Sequence, residues 1–232
     1  MARQQGIAIA AISKSHHAGV MGLTVERLAQ QGLAAMMFAN APAAMAAWGG
    51  RRPMFGTNPI AFGVPVGDAG DPIIIDLALS KVARGKIMAA KQKGVDIPDD
   101  WAFDPDGNPT TDPVKALDGT MVPAGGVKGA ALAMMVELLA AGLTGAQFGH
   151  QSSSLFDDKG KPPALGQMVI AINPTATGGL GVGEHLAEIA NELAAEEGVR
   201  LPGRRGKLVR LVAEENGIEI EDDVISAIDD IK

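Results

Sequence analysis

GIAIAAISKSHHAG, residues 6–19, decides how the fold is read. Its first seven residues alternate too little for a half-exposed strand and fit a strand buried on both faces. Residues 23–31 follow with apolar side chains at helical spacing (Val25, Leu28, Ala29), closed by Gly32, because glycine accepts the left-handed backbone that ends helices. Residues 33–38 form a second buried strand. Strand, helix and strand within about thirty residues is the length of a parallel crossover, so the chain reads as α/β. A buried strand so near a terminus is unusual, since termini sit at the surface, and suggests an N-terminally truncated start.

Outward from this unit, residues 42–59 are loop-like, broken by Gly49, Gly50, Pro53, Gly56 and Pro59. Residues 60–66 and 72–79 are β-like runs around a Gly-Asp-Ala-Gly-Asp turn, which predicts a hairpin. Ser80 is a candidate N-cap for a helix over 81–93 that ends at Gly94. Residues 96–124 carry four prolines before Pro123 and several glycines, and read as a surface excursion without long regular elements. The helix over 128–143 is the most apolar and is expected to be central. The apolar run 130–146 that overlaps it is interrupted by Glu137 and is shorter than the ~20 residues a bilayer requires. A short strand at 168–172, an amphipathic helix at 183–197, a basic helix at 204–216, a GIEI strand and an acidic terminal helix complete the chain. We read 1–232 as one domain region, with 199–232 as a helical tail.

The chain has 232 residues, 47% hydrophobic and 20% charged, which is ordinary globular composition. A net charge of -7 argues against nucleic acid as a partner, because tracking phosphates needs a basic face. With no cysteine, disulfides, thiolate catalysis and Cys-ligated zinc are excluded, and no metal site is assigned. No membrane span or secretory signal is read, so a cytoplasmic protein is expected.

Three clusters can carry chemistry. Ser15-His16-His17-Ala18-Gly19 follows the first strand, where open α/β sheets place ligands; a helix-capping serine with two exposed histidines is the plainer alternative. Gly56-Thr57-Asn58-Pro59 combines residues that tolerate positive φ with side chains able to bond a carboxylate or pyrophosphate, or is a simple turn. Asp76 stands among Ile73, Ile74, Ile75, Leu77 and Leu79, where a buried carboxylate needs a partner. It either orients a histidine or pairs with Lys81, Arg84 or Lys86.

The order of these clusters resembles the type-2 malate/L-lactate dehydrogenase family. The resemblance rests on SHHAG at 15–19, WGGRRPMFGTNPIAFGVP at 48–65, DLALSKVARGK at 76–86, KGAALAMMVELL at 128–139 and RLPG at 200–203. FANAPAAMAAWGG at 38–50 and WAFDPDGNPTTDP at 101–113 look closest to its Δ1-piperideine-2-carboxylate and Δ1-pyrroline-2-carboxylate reductases. The resemblance implies a non-Rossmann α/β fold, a mixed sheet flanked by helices without the family's N-terminal helical segment, and a homodimer. It also implies NADPH- or NADH-dependent reduction of a small-molecule 2-oxo or cyclic 2-imino acid. His17 and Asp76 are the implied catalytic residues, and Thr57 a substrate contact. His16, His17, Ala41, Ile75, Asp76, Leu77, Gly125 and Gly126 are the implied cofactor contacts. Arg204 is read from the residues themselves: it stands in the basic cluster Arg200, Arg204, Arg205 and Lys207, which either offers a guanidinium to a cofactor 2′-phosphate or is a solvated helix face. Relatives place a Ser-His-Gly motif and an arginine upstream of the first strand, and Ala18 and Leu79 replace a common Phe and Thr. A chain that binds cofactor or dimerises without turnover is the alternative.

Overall fold

The computed structural model describes residues 1–67, 70–157 and 159–231. A single turn, α1 (Ala2–Gln5), leads into β1 (Ile7–Ser15), α2 (Met21–Ala29) and β2 (Ala34–Ala39). A two-stranded ladder, β3 (Met45–Ala46) with β4 (Pro53–Phe55), precedes the hairpin of β5 (Ile60–Val66) and β6 (Gly70–Leu77). Then come α3 (Arg84–Lys93), β7 (Ala102–Phe103), α4 (Pro113–Asp118), β8 (Thr120–Met121) and α5 (Val127–Glu137), which runs into a π-helical turn, Leu138–Gly142. A 3-10 turn at Gly149–Gln151 precedes β9 (Leu165–Ile172), followed by α6 (Pro174–Gly178), α7 (Val182–Ala195), α8 (Arg204–Asn216) and α9 (Asp222–Asp229).

The main sheet has the order β1-β9-β2-β5-β6. β1 and β2 run in the same direction, as a crossover through α2 requires, but β9 inserts between them and pairs antiparallel with both. With β2–β5 and β5–β6 also antiparallel, every neighbouring pair of this sheet is antiparallel, more uniform than the mixed sheet expected. The period-2 alternation of strands divides β2 between two cores. Ala35, Met37 and Ala39 pack with Met21 and Val25 of α2 on one face. Met36 and Phe38 pack with Ala133, Val136 and Ala140 on the other. β2 is therefore the strand buried on both faces.

The expectation for β1 is corrected. Ile7, Ile9 and Ile12 are exposed, and β1 lies at the sheet edge with β9 as its one strand partner, so it is not buried on both faces. Ser80 does not cap α3: the N-cap is Ala83, and the buried Ser80 hydroxyl donates to the Val82 carbonyl at 2.7 Å. The helix does end at Gly94, in the left-handed conformation. Residues 96–124 lack long elements, yet Ile97, Ala102, Ala116 and Met121 lie in the larger core instead of on the surface. α5 buries one face, and Leu132, Met134 and Met135, with Leu138 of the π turn, stay exposed, so it is less central than its composition suggests. The GIEI segment, 217–220, forms no strand, for no strand of the described residues pairs with it. Among the described residues no helix is long and apolar enough to cross a membrane.

Candidate functional site

The Gly56-Thr57-Asn58-Pro59 turn explains how the site is assembled. A Cβ at Gly56 would lie 2.3 Å from the Ala41 carbonyl oxygen, so only glycine lets the two loops meet. Asn58 has φ 38 and is fully buried, using the left-handed tolerance of asparagine, and Pro59 then feeds β5. Thr57 is left half-buried between them. Its carbonyl accepts from the Leu79 amide at 2.8 Å, and its hydroxyl has no protein partner among the described residues.

Beneath this turn lies Glu137, absent from the candidate residues, at the end of α5 and 3% exposed. Its Oε1 accepts from the Gly149 amide at 2.6 Å and from Asn40 Nδ2 at 3.3 Å; Oε2 accepts from Asn58 Nδ2 at 2.7 Å. Burial pushes its carboxyl above the ordinary glutamate range, outweighing these donors, which pull the other way. A lone acid in the most apolar run was the sequence signal for it.

Above this floor opens a cavity of about 730 Å3, within the range of small-molecule sites. The predicted His16, His17, Ala41 and Thr57 all line it, joined by Arg52, Arg84 and His150, which were not anticipated. None of the lining residues, all of them described, is acidic. Every titratable side chain there is therefore a cation or an imidazole, the surroundings an anion requires. Arg84 donates to the carbonyls of Ala43 (3.1 Å) and Leu117 (3.5 Å) and lies 5.7 Å from the Phe156 ring centre; burial draws its pKa down. Arg52 is exposed on the rim. His150 stacks on Phe148 with ring centres 6.1 Å apart. His17 Nδ1 accepts from the Gly19 amide at 3.0 Å, which leaves Nε2 to carry the proton of the neutral ring. Ser15 caps no helix; Gln167 Nε2 donates to its hydroxyl and to the His16 carbonyl, both at 3.2 Å.

Other predicted residues lie elsewhere. Asp76 is exposed, not embedded, and its Oδ2 accepts from the Gly22 amide in the first turn of α2 at 2.7 Å. No hydrogen bond or ion pair joins it to His16, His17, Lys81, Arg84 or Lys86 among the described residues. Val20 at the N-cap of α2 offers no side-chain acceptor, so Asp76 of β6, distant in sequence but packed against α2, caps that helix. Ile75 and Leu77 flank it on β6. Gly125 and Gly126 precede α5 with φ 74 and 62, and Gly126 lies beside Trp48 outside the cavity. Arg204 opens α8 and lines a separate groove of about 270 Å3 with Glu26, Asp71, Ile74, Lys207 and Arg210. There Lys207 pairs with Asp71 at 2.5 Å and Arg210 grips Glu26 at 2.6 and 2.8 Å, tying α8 to β6 and α2. The Arg204 side chain has no such partner among the described residues.

Residues 1–229 match the malate/L-lactate dehydrogenase family. A (2R)-3-sulfolactate dehydrogenase (NADP(+)) of Chromohalobacter salexigens is 54% identical over 90% of this chain and 62% of its own length. A Δ1-pyrroline-2-carboxylate/Δ1-piperideine-2-carboxylate reductase of Pseudomonas putida is 40% identical over 99% of this chain and 67% of its own. The crystal structure of Δ1-piperideine-2-carboxylate reductase from Pseudomonas syringae superposes with a TM-score of 0.87 at 40% identity, covering 97% of this chain and 68% of that one. The chain thus spans about two-thirds of the length of these relatives.

Proposed function

Because the chain belongs to the malate/L-lactate dehydrogenase family, we propose that it carries the cofactor-binding face and substrate pocket of an NADP-dependent oxidoreductase acting on small 2-oxo or 2-imino acids. The carrying observation is the cavity whose titratable lining is wholly basic. When bound, the nicotinamide supplies the hydride; the protein supplies anion recognition, orientation and protons. Thr57, with an unengaged hydroxyl in the cavity wall, donates to the substrate carboxylate. His17 holds a proton at Nε2, and Arg52 adds cationic charge at the rim.

The residues present fit a dinucleotide in a second respect. Ala78 lines the cavity and Ile74 lines the Arg204 groove. Four residue-to-residue steps of chain separate them, about 13 Å at ~3.3 Å per step if extended, with Ile75, Asp76 and Leu77 between. In the proposed arrangement a dinucleotide lies along this stretch of β6, and the unpaired Arg204 guanidinium meets the 2′-phosphate.

The sulfolactate dehydrogenase relative favours a second substrate reading beside the cyclic imines: a linear 2-hydroxy acid with a further anionic group, for which Arg52 and the imidazoles are suited. A second copy of the chain is the proposed partner, supported by the exposed apolar side of α5. The test is fluorescence titration of NADPH and NADH with the full chain, Arg52→Ala and Arg204→Ala, followed by turnover of 3-sulfopyruvate, pyruvate and Δ1-piperideine-2-carboxylate. NADPH should bind more tightly than NADH, and Arg204→Ala should remove that preference. An unchanged preference dismisses the Arg204 assignment, and absence of binding by the wild type dismisses the oxidoreductase reading.

A further inference from the structure

Three backbone segments that form the cavity meet on one buried acid. Gly149 donates its amide to Glu137 Oε1, and the Gly149 carbonyl accepts from the Ala43 amide at 3.0 Å. Asn58 reaches Glu137 Oε2 from the turn that presents Thr57. Ala41 donates to Asn58 Oδ1 at 3.3 Å. The packing at this junction is backbone on backbone: a Cβ at Gly149 would lie 2.7 Å from the Ala41 carbonyl oxygen.

The donors around Glu137 cannot be turned round. Asn58 Nδ2 also donates to the Ala133 carbonyl at 2.9 Å while its Oδ1 serves Ala41, so swapping its amide ends would break both bonds. Asn40 is locked in the same way, with Oδ1 accepting from the Gly166 amide at 2.8 Å and Nδ2 donating to the Gln147 carbonyl at 2.9 Å. Both oxygens of Glu137 must therefore accept, which only a carboxylate can do in full. No cation pairs with it among the described residues. An acid held chiefly by oriented dipoles, with the His150 ring acting on it through charge and not through a bond, stands at the point where the helix shifts to π geometry, an arrangement made for placement; π turns often mark functional sites.

We propose that Glu137 is a positioning residue: its carboxylate fixes the segments around Ala41, Thr57 and Gly149, and thereby sets how Thr57 and His150 address an anionic ligand in the cavity. The ligand part rests on the oxidoreductase reading; the placement part does not.

The deciding variant is Glu137→Gln, equal in size, which turns one acceptor into a donor aimed at Asn58 Nδ2 or at the Gly149 amide. Residue-resolved amide exchange on the full chain should show Ala41 and Gly149 exchanging at least about 10-fold faster, with the amides of β2 and β5 unchanged. The NADPH dissociation constant should rise by a comparable factor. Unchanged exchange at Ala41 and Gly149 overturns the proposal, as does acceleration shared equally with the sheet, the signature of a merely structural acid. If the wild type binds no NADPH, the oxidoreductase reading fails while the exchange result still decides placement. Should Glu137→Gln not fold, Glu137→Asp, which keeps the charge one methylene short, undergoes the same measurement, and the same two results support or overturn the proposal.

Discussion

Removing the carboxylate of Asp76 distinguishes a helix cap from a catalytic group. Helix α2 begins after Val20, which has no side-chain acceptor, so its first amides depend on outside partners. Asp76 Oδ2 accepts from the Gly22 amide at 2.7 Å, and a negative charge at this end also meets the positive pole of the helix dipole. Losing a cap typically costs about 1 kcal/mol, within a range of about 0.5–2. For a protein of this size that corresponds to a fall in Tm of about 2–4 °C per kcal/mol. Asp76→Ala should therefore lower Tm by a few degrees, while Asp76→Asn, which keeps an acceptor but loses the charge, should lower it less. Scanning calorimetry on the purified variants reads this directly, with NADPH titration and turnover measured in parallel. If Asp76→Ala leaves Tm where it was while turnover drops on the order of 10²-fold, the capping argument is refuted and the carboxylate acts on a histidine or a ligand.

Two further outcomes follow from the floor of the cavity. Gly166→Ala would place a Cβ 1.8 Å from the Ala140 carbonyl oxygen, backbone that cannot step aside; destabilisation at or above the ~1–3 kcal/mol of ordinary overpacking is expected in denaturant titration, and a neutral result would contradict the crossing of β9 over the π turn. Because burial raises the pKa of Glu137, the folded state binds its proton more tightly than the unfolded state. The stability this contributes is complete below the ordinary glutamate pKa and is lost as pH rises through the raised value, about 1.4 kcal/mol for each tenfold difference in proton affinity between the two states. Glu137→Gln lacks this loss, so its stability relative to wild type should climb with pH across that window, and a flat or falling difference in pH-dependent unfolding would show that the donors outweigh burial.

The α/β class, the hairpin of β5 and β6, the stop at Gly94 and the span of α8 were legible in the sequence, since each depends on local causes: alternation, helical spacing and the left-handed tolerance of glycine. The positive φ of Asn58 and the clustering of His16, His17, Ala41 and Thr57 were likewise within reach, the latter through family resemblance. The acids show where local reasoning stops. Asp76 and Glu137 each interrupt an apolar run, and the rule that a buried charge needs a partner drew attention to Asp76. Only the tertiary structure separates them. β6 lies at the sheet edge, which leaves Asp76 exposed at a helix end, whereas α5 packs beneath β2 and turns Glu137 into the junction of three loops. For the same reason IAIAAI could not announce its own exposure: apolar composition says that a strand can be buried, but whether it lies inside or at the edge depends on β9, which arrives some 150 residues later and takes the place beside β2.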